Sequence, residues 1–212
     1  MNKLSIKEAF GSAWKIFSTN VWIFVGSTAF IGAVSFISDK ISNDKGLFDF
    51  IIGLATAVLL WWLYIGFIRM AMTAHAGGSI SFEMLFGEKG TTLWHYIVAV
   101  ILSAISVLIG LVLLIVPGIM LQIGLMFVPF LILDKNMQPV AALKESWRLT
   151  KGYKWKLFGF LCILILVNIA GILAAFVGLL VSIPLSLLVL TYVYRQLEKG
   201  VQMEPVASVS TQ

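Results

Sequence analysis

Residues 97–133 read IVAVILSAISVLIGLVLLIVPGIMLQIGLMFVPFLIL, thirty-seven positions without one charged side chain. A helix rises about 1.5 Å per residue, and about 20 apolar residues cross the ~30 Å hydrocarbon core. The run is therefore too long for one crossing and must fold back on itself. Pro117-Gly118 supplies the expected break, because proline removes a backbone donor and glycine permits a turn. The reading is two spans, 96–116 and 118–133.

The same arithmetic applies outward from this stretch. Residues 157–194 are again uncharged and divide near Gly178 into spans 157–177 and 178–194. Upstream lie 21–37 and 51–74, the latter carrying Arg69, separated by a polar turn at 38–46. The whole chain of 212 residues is 60% apolar and 12% charged, whereas soluble domains average about 45–50% and about 25%. A water-soluble globule and a disordered chain are both excluded. The expected fold is all-α: an integral membrane protein with six transmembrane helices, arranged as three hairpins each preceded by an amphipathic interfacial helix. A transmembrane barrel does not fit, since its strands alternate polar and apolar residues, and a lipid-exposed open strand would leave backbone groups unpaired. Residues 1–197 form a single membrane domain, and 198–212 read as a polar, disordered tail. No cleavable leader is expected, because an amphipathic segment with Trp14 and Trp22 precedes or opens the first span.

Charge supplies the orientation. Of fifteen Lys and Arg, an even number of spans puts thirteen on the side of the termini: Lys3, Lys7, Lys15, Arg69, Lys89, Lys135, Lys144, Arg148, Lys151, Lys154, Lys156, Arg195 and Lys199. Only Lys40 and Lys45 fall on the other. By the positive-inside rule both termini are cytoplasmic, in a bacterial inner membrane. The net charge of +5 sits beside membrane ends, so nucleic acid is not an expected partner. The expected partners are membrane lipids, a second copy of the chain, or another membrane protein.

A repeat is legible. Laid over 139–159, residues 6–26 match Ala9 with Ala142, Trp14 with Trp147, Lys15 with Arg148, Trp22 with Trp155 and Gly26 with Gly159. A weaker third copy puts Phe82, Phe86 and Trp94 in the places of Phe10, Trp14 and Trp22. Ile6, Phe10, Ala13, Trp14 and Phe17 make the first apolar stripe, with Ser5 and Glu8 as a capping box; Val140, Leu143 and Trp147 make another. Anchorage of the helix ends explains these segments better than membrane sensing does.

Chemistry is sparse. His75 and His95 stand outside any HExxH pattern, and each reads as an interfacial side chain that caps or hydrogen-bonds. GxxxxGK[ST], GxGxxG after a strand, and GxSxG are all missing. The single cysteine, Cys162, lies in an apolar run and reads as a buried thiol filling space; one cysteine makes neither an intrachain disulfide nor a cysteine-rich metal site. Asp49 and Asp134 read as charges stopping at the interface. Gln122 and Asn168 are the deepest polar candidates and read as interhelical hydrogen-bonding glue. Small residues four apart, Ala29 with Ala33, Gly171 with Ala175, Ala174 with Gly178, predict close helix packing. No catalytic, cofactor-binding or metal-ligating residue is assigned, and no cofactor is implied.

Residues 113–160 carry IVPGI, FVPFLILD, ALKESWRLTKG and WKLFG. In these motifs the chain resembles a broad group of uncharacterised bacterial polytopic membrane proteins, and is similar to the membrane domain fused to some glycerophosphodiester phosphodiesterases. The resemblance implies an all-helical inner-membrane protein. It carries over no activity, since that chemistry belongs to a separate soluble barrel. The functional expectation is a non-enzymatic structural or accessory component of the bacterial cytoplasmic membrane. The alternative is a transporter or channel for small apolar or amphipathic molecules, which an enclosed polar cavity near Gln122 and Asn168 would favour. An intramembrane enzyme is the least supported, for want of a nucleophile with a positioned base.

Overall fold

The computed structural model describes residues 5–41, 46–87, 90–174 and 177–207, and over these the chain is helical with no strand. The elements are α1 (Ile6–Thr19), α2 (Val21–Ile41), α3 (Leu47–His75), a 3-10 turn (Phe82–Leu85), α4 (Gly90–Leu113), α5 (Ile115–Leu125), α6 (Val128–Lys135), α7 (Pro139–Thr150), α8 (Lys154–Leu173) and α9 (Leu179–Ala207). Six segments are long and apolar enough to cross a bilayer, with α5 and α6 together making the fourth. The polar turn expected at 38–46 falls partly outside the described residues.

Three boundaries depart from the sequence reading. The fold-back comes at Leu114, not at Pro117-Gly118. Pro117 sits in the first turn of α5, where the missing N–H has no intrahelical partner to lose. Gly118 instead lets α5 lie against α4: a Cβ there would come 2.8 Å from the Leu111 backbone nitrogen. The second departure is α9, which absorbs Pro184 and continues to Ala207. The tail expected from 198 is thus helical as far as Ala207. The third is the break between α5 and α6. Pro129 cannot donate to the carbonyl four residues back, so the ladder opens at Met126-Phe127. Ser146 of α7 closes it, donating to Gly124 O at 2.7 Å and accepting from the Phe127 N–H at 3.3 Å. Ser146→Ala leaves both backbone groups without that partner in a fully buried place. A loss of about 1–3 kcal/mol is expected, read from detergent-unfolding midpoints against wild type.

The second span of every hairpin is the more buried: 28% against 17% in the first, 50% against 17% in the second, 44% against 22% in the third. The inner helices are therefore α3, α5-α6 and α9, and the outer ones α2, α4 and α8. Around them the connecting segments follow a cyclic rule. The 3-10 turn packs on α3, α7 on α5 and α6, and α1 on α9. Each segment that precedes a hairpin thus rests on the inner span of the hairpin before it, and α1 closes the ring.

The buried faces of α1 and α7 coincide only in part with their apolar stripes. The buried edge of α1 is Ala9, Ala13 and Phe17, while Ile6 and Trp14 are exposed. In α7 Ala142 and Ser146 are buried, while Val140 and Trp147 are exposed. Lipid is as apolar as leucine, so large apolar side chains gain little by turning inward, and small ones let backbones approach. The segment before the second hairpin is a four-residue 3-10 turn rather than an amphipathic helix. At the N-terminus of α1 the Ser5 hydroxyl accepts from the Glu8 N–H at 3.4 Å, half of the expected box. On the surface of α7 the guanidinium of Arg148 donates twice to Glu145, both at 2.8 Å, and holds that carboxyl below its ordinary range.

Candidate functional site

The ends of the inner helices bring together charges that lie far apart in sequence. Asp134, in the last turn of α6, accepts from Arg195 of α9 through both oxygens, at 2.8 and 2.9 Å. The Tyr194 hydroxyl donates to the same carboxylate at 3.0 Å. Arg195 also donates to Glu198 at 3.2 Å, and Lys135 Nζ stands 3.1 Å from the other oxygen of Glu198. The Tyr194 ring is fully buried and stacked on Phe130 at 5.4 Å. An aromatic anchor thus fixes the depth of the charged group, and a forked guanidinium–carboxylate pair fixes its direction. Arg69 and Thr73 of α3 face the same place, and with Asp134 and Arg195 they line an open cavity of about 240 Å³. Asp134 is therefore more than a charge halted at the interface: it ties α6 to α9.

Deeper in the bundle, Asn168 of α8 behaves as expected. Its amide donates to Leu164 O at 2.8 Å and Ser186 Oγ at 2.9 Å, and its carbonyl accepts from Ser182 Oγ at 3.0 Å. Both serines belong to α9. Gln122 does not join this group; its side chain is exposed on α5, on the outside of the helix that Ile123 and Gly124 bury. His75 lies with its ring 6.2 Å from that of Tyr192. Among the described residues neither of its nitrogens, nor Nδ1 of His95, makes a close hydrogen bond. Asp49 Oδ2 is likewise buried without one. Cys162 is a free, half-buried thiol. Gly171 and Gly178 meet within the chain: a Cβ on Gly178 would be 2.7 Å from the Gly171 Cα. Ala29 and Ala33 are exposed, and Ala175 lies outside the described residues. Among the described residues no group of three His, Cys, Asp or Glu side chains is placed to hold a metal ion.

A second concavity was not legible in the sequence. Phe24 packs edge-on against Phe67, centroids 6.1 Å apart, and Ser38 donates to Thr56 Oγ1 at 2.8 Å. These contacts clamp α2 to α3 at two levels. Between them the helices separate around Ile31 and Gly32 on one side and Trp61 and Tyr64 on the other, leaving a groove of about 340 Å³ beside Ile183 of α9. Its walls are almost wholly apolar. Among the described residues no hydrogen bond reaches the hydroxyls of Ser35 and Tyr64 or the indole N–H of Trp61. A hydroxyl moved from water into a medium that cannot hydrogen-bond costs about 4–8 kcal/mol, so these donors are poorly matched to a plain hydrocarbon surrounding.

No family model matches the chain, and no solved structure matches it. The fold itself defines the class: an all-helical, multi-pass membrane protein with six candidate spans.

Proposed function

We propose that this is a non-enzymatic integral protein of the bacterial cytoplasmic membrane, serving as a structural or accessory component with both termini in the cytoplasm. The observation that carries the reading is the use made of polar side chains inside the spans. Asn168, Ser182 and Ser186 join α8 to α9, Asp134 and Arg195 join α6 to α9, and Ser38 joins α2 to α3. These groups act as fasteners between helices. The resemblance to membrane domains that carry no catalytic residues of their own agrees with it.

The architecture is read as three copies of an interfacial segment followed by a hairpin. With a shift of 133 residues, α1 and α7 begin at equivalent positions, and so do α2 and α8. Ala13, Leu85 and Ser146 occupy one register and are all fully buried, while Trp22, Trp94 and Trp155 occupy another and are all largely exposed. The three tryptophans stand near the start of each outer span, where indoles favour the headgroup region. Membrane lipids are thus the partners this surface fits.

Two measurements test the proposal. In intact cells of a Cys162→Ala background, an impermeant thiol reagent is expected to label Lys40→Cys and spare Lys151→Cys; the opposite pattern overturns the orientation. Purified protein in liposomes is expected to hydrolyse neither lipid nor nucleotide. A rate that disappears in Asn168→Ala or Asp134→Asn, with the fold intact, overturns the non-enzymatic reading. The groove between α2 and α3 favours a second reading, transport of small apolar or amphipathic molecules.

A further inference from the structure

We infer that the elbow between α7 and α8 is a binding site for an anionic glycerophospholipid, its phosphate drawn to Lys144, Lys151, Lys154 and Lys156 and its acyl chains laid along α8. The inference deepens the proposed partnership with lipids and rests on reading the chain as three copies of one unit. Its first support is charge. Residues 139–160 hold five cations and a single carboxylate. Arg148 occupies that carboxylate, Glu145, through two hydrogen bonds of 2.8 Å. Among the described residues none of the four lysines forms an ion pair, and Lys144, Lys151 and Lys156 are exposed. Their charge is uncompensated by the protein, and it repels the ammonium of a zwitterionic lipid while attracting a headgroup of net negative charge.

The second support is placement. The Lys154 ammonium lies 3.1 Å from the centroid of the Trp147 ring, and Lys154 is the first residue of the fifth span. That contact brings the end of α7 level with the edge of the hydrocarbon, beside the headgroup layer. The turn between the helices is fixed: Tyr153 N–H donates to Thr150 O at 3.1 Å, and Gly152 takes φ 82°, a conformation open to glycine. Trp155, 74% exposed, meets Phe158 edge-on at 6.3 Å, and exposed Ile165 and Leu166 continue the apolar surface along α8 for acyl chains.

The third support is asymmetry. Six spans put the three elbows at the same face of the membrane, and Trp22, Trp94 and Trp155 are exposed at all three. The lysines are not repeated. In the register of the tryptophans, the four lysine positions hold Gly11, Ser18, Val21 and Ile23 in the first copy, and Glu83, Gly90, Leu93 and His95 in the second. Anchorage of helix ends would ask for cations at each elbow, yet only the indoles serve all three. The concentration of charge at one elbow is therefore a feature of lipid choice and not of anchorage.

The test titrates the full chain in detergent with phosphatidylglycerol or with phosphatidylcholine of the same acyl chains, and native mass spectrometry counts the lipid bound. A basic residue beside an anionic surface is worth about fivefold in affinity, so phosphatidylglycerol is expected to bind about tenfold more tightly or better. Lys144→Gln with Lys151→Gln and Lys156→Gln is expected to bring that preference below about threefold, and the same three positions changed to arginine are expected to keep it. Lys3→Gln with Lys7→Gln and Lys15→Gln removes as much charge from the first copy and is expected to leave the preference within about twofold of wild type. Inorganic phosphate, which has no acyl chains, is expected not to displace the lipid. Equal binding of the two lipids, equal losses in the two glutamine triples, loss in the arginine triple, or displacement by inorganic phosphate overturns the proposal. Lipid in detergent has no sidedness and the measurement involves no turnover, so a failure here leaves the orientation and the non-enzymatic reading standing, and their failure leaves this site untouched.

Discussion

Gly66→Ala is expected to be among the most destabilising single substitutions in this protein, lowering its stability by about 3 kcal/mol or preventing its recovery folded from the membrane. A Cβ at position 66 would stand 2.5 Å from Leu85 O, 2.6 Å from the Leu85 Cα and 2.7 Å from Met84 O. All three are backbone atoms, so no side chain can swing aside to relieve the overlap. Either α3 moves or the 3-10 turn lifts away, taking Phe82 and Phe86 from their contacts with Phe30 at 5.5 and 5.8 Å. Overpacking of well-ordered sites costs about 1–3 kcal/mol, occasionally more, where surroundings relax partly; here they are rigid on both sides. Gly26→Ala, with nothing within 4 Å of its Cβ, provides the control in a reversible detergent titration. Matching effects in the two variants would show that the contact with the turn does not govern position 66, since helix propensity favours alanine over glycine at both.

The second large effect is expected at Asp134. Removing one member of a fully buried pair leaves the other without compensation, at a cost of about 3–5 kcal/mol; here Arg195 keeps its bond to Glu198. Side-chain exposure here is 18% for Asp134 and 32% for Arg195, which places Asp134→Ala near the lower figure, about 3 kcal/mol. The change strips Arg195 of two hydrogen bonds and Tyr194 of one. Replacing both charges, as Asp134→Leu with Arg195→Met, is expected to cost less than the single change, because an apolar pair of similar volume has no desolvated charge to satisfy. The stabilities of wild type, Asp134→Leu, Arg195→Met and the double variant form a double-mutant cycle with a coupling of about 2 kcal/mol. Additive losses would mean that the pair observed between α6 and α9 contributes nothing to holding them.

Much of the fold was legible because lipid imposes a length rule. An uncharged run of thirty-seven residues has few solutions in a bilayer, and the six observed spans follow from counting. The site was legible only in fragments. Asn168 could be recognised as an interhelical fastener from its depth, but nothing in the chain names Ser182 and Ser186 as its partners. Gln122 met the same criterion and turned outward, because which face of α5 is inner depends on where α7 lies. The Gly124 Cα lies so close to Trp147 that an added Cβ would meet the indole ring; that contact, and not polarity, sets the rotation of α5. Asp134 resembled any charge at a span end, since its partner Arg195 is sixty-one residues away.

The amino-acid sequence by itself determined the number of crossings, the helical character of every span and the side of the membrane toward which charge is biased. Those depend on the transfer of each residue between water and hydrocarbon, a property of the residue and its immediate neighbours. Only the tertiary structure decided which span of each hairpin is inner, which small-residue faces of α1 and α7 meet the bundle, and where α2 and α3 part to leave a groove. Inside lipid the hydrophobic effect does not distinguish one apolar face from another. Steric fit and hydrogen bonds between distant helices choose among them.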